Sequence, residues 1–121
     1  MQNAAQAYGA TAKKIANPRE LEADLLLKAA SRLQAVKESW KGSSRELDDA
    51  LLYNRKLWTI FMSSVAEEGN PLPTEIRQNI ANLGLFVVNQ TLSVIANPAP
   101  ERLTALITIN RELAAGLLGR G

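Results

Sequence analysis

From Gln78 to Pro100 the chain carries no Asp, Glu, Lys or Arg, although Asn, Gln, Ser and Thr are scattered through the stretch. On a helix it presents two apolar seams. Ile76, Ile80, Leu83, Val87 and Val94 fall on one side, and Leu85, Val88, Leu92 and Ile95 on the other. A helix apolar on two sides has to be covered twice, so this segment predicts a packed helical bundle with one face left for something else to cover. Spanning a bilayer takes about 20 predominantly apolar residues. Asn79, Asn82, Asn89, Gln90 and Ser93 interrupt the run, and the expectation is no membrane insertion.

Strand patterns are nearly absent, and the punctuation falls where helices begin. Asn17-Pro18-Arg19-Glu20 offers an Asn cap, a Pro at the first helical position and a Glu placed to reach back. The apolar line Leu21, Leu25, Ala29, Leu33 and Val36 follows, ending near Trp40 and Gly42. Ser43-Ser44-Arg45-Glu46 reads as a capping box, and Leu47, Leu51, Asn54, Trp58, Phe61 and Val65 continue as a coiled-coil-like seam. Gly69-Asn70-Pro71-Leu72-Pro73 is a loop, with Pro73 suited to the first turn of the uncharged helix. Asn97-Pro98-Ala99-Pro100-Glu101 repeats the cap-then-Pro device, ahead of Leu103, Leu106, Ile107, Asn110, Leu113 and Leu117. The expected fold is all-α: a single-domain compact bundle of about five helices, with residues 1–16 an N-terminal arm or short helix and 17–121 the bundle domain.

At 121 residues the chain is long enough to bury roughly two-thirds of the surface its unfolded form exposes. With neither Cys nor His present, imidazole bases, thiolate nucleophiles and the usual zinc spacings are excluded. Asp48-Asp49 and Glu67-Glu68 are the only paired carboxylates, and helical neighbours splay by about a quarter turn instead of converging. No phosphate-cradling Gly-rich loop is present. The expectation is therefore a non-enzyme without cofactor or metal. Lys plus Arg exceed Asp plus Glu by 14 to 12, and the short basic pairs Lys13-Lys14 and Arg55-Lys56 make RNA contact a less favoured reading than solvated surface. Met1 to Ala16 lacks the apolar run of a secretory signal, so a cytoplasmic protein is expected.

Asn54 and Asn110 stand in otherwise apolar lines, where an amide without partners would cost about 1–3 kcal/mol. Both are expected to be hydrogen-bonded and to fix helix register. A short echo links Leu51 to Leu57 with Ile107 to Leu113, each placing Asn-Arg in a seam. Trp58 reads as core first, and Trp40, off the regular line, suits either core or surface.

Taken together these segments resemble the FlaF family of flagellar biosynthesis regulators of alphaproteobacteria. The resemblance rests on Tyr8 with Asn17-Pro18-Arg19-Glu20-Leu21-Glu22, Leu51 with Asn54-Arg55-Lys56-Leu57-Trp58, Leu72-Pro73 through Ile80-Ala81-Asn82-Leu83-Gly84-Leu85-Phe86-Val87, and Leu106-Ile107 with Asn110-Arg111-Glu112-Leu113-Ala114-Ala115-Gly116-Leu117. It implies a small cytoplasmic helical protein needed for flagellin production and export, acting as a flagellin-binding secretion chaperone opposite the regulator FlbT. The residues themselves permit a concrete form of that role: an apolar groove that buries one amphipathic flagellin segment. Leu85, Val88, Leu92 and Ile95 are its expected contact residues, with Leu57 and Trp58 as walls. The alternative is a post-transcriptional regulator acting on flagellin message through Lys13, Lys14, Arg55 and Lys56, or through FlbT. Without a client, the two-sided helix is expected to favour a homodimer.

Overall fold

In the computed structural model, which describes residues 18–119, every regular element is helical. The order is α1 (Pro18–Glu38), α2 (Arg45–Ala66), α3 (Thr74–Ala96), a 3-10 turn (Pro100–Leu103) and α4 (Thr104–Leu117). Four α-helices therefore stand where about five were expected. The remaining one was assigned to residues 1–16, outside the described residues, as is the Asn17 cap.

Local chemistry explains most boundaries. Pro18, the first described residue of α1, has no N–H to leave unpaired in a first turn. At α2 the cap is Ser44, whose Oγ accepts the Leu47 N–H at 3.2 Å. This places Glu46 one position too early for the reciprocal bond of a capping box, so the expected box is only its Ser half. Gly42 and Gly69 adopt φ of 74° and 83°, left-handed values that let the two connections turn sharply. In the second connection Asn70 donates to the Ser64 carbonyl at 3.0 Å and accepts from the Leu72 N–H at 2.9 Å. Pro73 is the residue before α3 and not within it. The Asn97-Pro98 device does not open a helix either. Ala99 is held extended ahead of Pro100, so a 3-10 turn forms first and α4 begins at Thr104.

α1 packs most extensively on α4 and also on α2, while α2 carries α3 on its other side. α3 meets α4 only slightly, and among the described residues it does not pack on α1. The face α1 buries is Ala23, Leu26, Ala29, Ala30 and Leu33. The expected line through Leu21, Leu25 and Val36 is thus rotated: those three are half-buried at the edge of the core. Alanines on the buried stripe let α4 approach closely, an advantage that counting large residues overlooks. The α2 seam is buried from Leu47 to Val65 as expected, and Trp58 packs edge-on against Phe61 with centroids 6.0 Å apart. On α3 the inward face is Ile80, Gly84, Val87, Thr91 and Val94. A side-chain carbon at Gly84 would collide with Met62 of α2, so the glycine sets how deeply α3 seats.

A polar chain crosses this core. The Trp58 indole N–H donates to Asn110 Oδ1 at 2.9 Å, and Asn110 Nδ2 donates to Asn54 Oδ1 at 2.6 Å. All three residues are buried. Because an indole can only donate, it fixes the orientation of the Asn110 amide, which in turn fixes that of Asn54. The two asparagines of the sequence echo are therefore bonded to each other.

Asn110→Leu strands the indole N–H and removes both bonds, whereas Asn54→Leu removes one. The expected losses are about 2–3 and about 1–2 kcal/mol, read as a lower thermal midpoint with Asn110→Leu the worse; an unchanged melting curve for either would refute the register role. Burial against the bundle raises the Glu22 carboxyl above its ordinary value, an effect that Arg19 partly offsets. A folded-state acid with a raised pKa binds more protons than its unfolded form, so its contribution is most favourable at low pH and is lost as pH rises through the raised value. Glu22→Gln is accordingly expected to raise the melting temperature at pH 7 and to leave it unchanged below the ordinary carboxylate range, checked by melts across pH.

Candidate functional site

The second seam of α3 lies about a quarter turn around the helix from its buried face. There Leu85 is 61% exposed, Leu92 57%, Ile95 55% and Val88 39%. These values are high for large aliphatic side chains, and the four follow one another along a single flank at spacings of three, four and three. The bundle packs on the Ile80–Val94 face instead, so truncating any of the four removes little core. Gln78, Asn82 and Asn89 border the flank as an exposed polar strip. Gln78 and Asn82 bond to each other at 3.2 Å, and α3 itself contributes no charge from Gln78 onward.

The walls differ from those expected. Leu57 and Trp58 are 6% and 1% exposed and belong to the core; the indole is engaged with Asn110, and neither side chain lines the flank. Their place is taken by Leu52 and Arg55. Together with Asp48, Leu51, Thr91 and Ile95 they enclose a cleft of about 240 Å³ between α2 and α3. Leu52 is 39% exposed. The signal for it was in the sequence: in Leu51-Leu52 only one member can lie on the Leu47-Leu51-Asn54 seam, which turns the other outward. Ile60, 64% exposed, sits seven residues from Tyr53 and so on the other flank of α2, away from this cleft.

Charge at the cleft is balanced. Arg55 and Asp48 face the same opening, so the acid tempers the cation that the RNA reading needs. Lys56 is exposed beside it, while Lys13 and Lys14 lie outside the described residues. Asp48, Asp49, Glu67 and Glu68 are all exposed on the surface. Among the described residues no cluster of three or more acidic side chains could hold a metal ion.

α3 is also long and apolar enough to cross a membrane, by length and composition, with 28% of its most apolar window buried inside the bundle. In the fold it is tied to the following connection by polar bonds. The Gln90 amide donates to the Arg102 carbonyl at 2.8 Å, and the Arg102 guanidinium donates to Ser93 Oγ at 2.8 Å.

No curated protein and no solved structure matches the chain. The family model for the flagellar protein FlaF matches residues 4–117, and the chain belongs to that family, which carries a role in flagellar biogenesis or regulation.

Proposed function

We propose that this FlaF-family protein is a flagellin-binding secretion chaperone and regulator of flagellin synthesis, working in the cytoplasm and opposite an FlbT-type regulator. The occupant of the α3 flank is an amphipathic helical segment of flagellin. The observation that carries this reading is the uncharged row Leu85, Val88, Leu92 and Ile95, left outside the core on a flank of α3 that no other helix covers. A client helix laid along it would bury its own apolar stripe against these four side chains, with Leu52 and the aliphatic stem of Arg55 closing one side. The bordering Gln78, Asn82 and Asn89 would meet the client's polar edge.

The same row would be the contact between two copies when no client is present, because a self-complementary apolar flank is suited to a two-fold dimer. Client binding and self-association would then compete for one surface. A bilayer fits the flank less well, since the exposed amides of Gln78, Asn82 and Asn89 run beside it through the first two-thirds of the helix.

Leu85→Asp with Leu92→Asp is expected to weaken flagellin binding by at least about 100-fold, equivalent to ~3 kcal/mol, with the circular dichroism spectrum unchanged. Pulldown of flagellin that survives the double change would move the docking site elsewhere. Salt separates this mechanism from message binding. Apolar burial should hold or strengthen from 50 to 200 mM salt, whereas contact with several phosphates should fall steeply over roughly that range.

A further inference from the structure

α3 has a second open flank, and it faces α4. The two helices are tied at the Arg102 connection and part at the other end, where a groove of about 330 Å³ opens between the first half of α3 and the second half of α4. Ile76 and Leu83 form one wall and Ile109 and Leu117 the other, with Leu113 between them. Glu112 and Arg19 stand at the rim. Arg19 is in the first turn of α1, so the chain preceding Pro18 reaches the bundle at the edge of this groove.

We infer that the groove is the docking site of this chain's own residues 1–16. Ala5, Tyr8, Ala12 and Ile15 recur at spacings of three, four and three, one apolar line on a helix. Tyr8 and Ile15 are separated by seven residues, as are Ile76 and Leu83 on the facing wall, each about 10 Å along a helix axis. Ile15 is four residues from Arg19, within roughly 14 Å of the rim even when extended. The segment carries Lys13 and Lys14 and no acid, and Glu112 at the rim and the exposed Glu75 beside Ile76 supply two opposite charges against the one like charge of Arg19. A short helix with one apolar stripe is marginal alone. Tethered at the groove's edge it binds at an effective concentration in the millimolar range, which favours its own groove over that of another copy. This site lies on the opposite flank of α3 from the proposed client surface and stands or falls independently of it.

A photo-reactive benzoyl-phenylalanine in place of Tyr8, in the full-length protein, tests the assignment by irradiation, gel sizing and mass-spectrometric mapping. Monomer-sized product crosslinked within residues 76–83 or 109–117 is expected. Gly116→Lys projects a charged chain into the groove from a position where added atoms meet open space, so the bundle itself is spared. It should cut that product about tenfold, since seating the arm would then require desolvating a charge, with helicity unchanged. Product of dimer size, crosslinks confined to other surfaces, no crosslink at all, or a yield indifferent to Gly116→Lys would each overturn the inference.

Discussion

The bond from the Trp58 indole to Asn110, and on to Asn54, is the constraint around which the bundle is arranged. Apolar helices can slide or rotate past one another at small cost while still burying similar area. A donor-only indole and two amides cannot. Each offset that separates Trp58 from Asn110 leaves polar atoms in a dry interior, and that penalty selects one alignment of α2 against α4 although the two helices are bridged mainly by side chains. α1 then fills the space on one side with small residues, and α3 is carried on the other by α2.

This hierarchy explains why α3 has surface to spare. It is anchored on α2, where Gly84 meets Met62, and on the connection through Gln90 and Ser93, but it is clasped by no helix on its remaining sides. One flank shows Leu85, Val88, Leu92 and Ile95, and the other opens toward α4. A family concerned with flagellar biogenesis or regulation has here a helix whose seating needs only one of its apolar sides.

Much of this was legible in the sequence because caps, prolines and period leave local marks. The α2 seam was readable residue by residue, as was the outward row of α3; of the expected inward row Ile76 is exposed and Leu83 half-buried, both lining the groove toward α4, and Gly84 and Thr91 complete the buried face. The outward row is exposed in the fold, while its role as a docking surface is a proposal. Helix starts were less exact, since Ser43 and Ser44 are equivalent until backbone geometry picks one, and Pro98 and Pro100 compete to begin the next element. The α1 stripe was misplaced by one step because Leu25-Leu26-Leu27 allows more than one inward line, and only contact with α4 selects Leu26 with its flanking alanines. Leu57 and Trp58 were also offered as walls, but the reading of Trp58 as core is the one the fold takes, and Leu57 is buried with it. Partner choice between the asparagines was beyond reach, for it depends on two segments meeting in space that share no sequence neighbour.

The division of labour on α3 bears on how such a protein changes over generations. Ile80, Gly84, Val87, Thr91 and Val94 hold the helix in place, whereas Leu85, Val88, Leu92 and Ile95 contribute little to that task. Substitutions in the outer row are therefore nearly free of folding consequences, so this surface can drift while the scaffold beneath it is inherited intact.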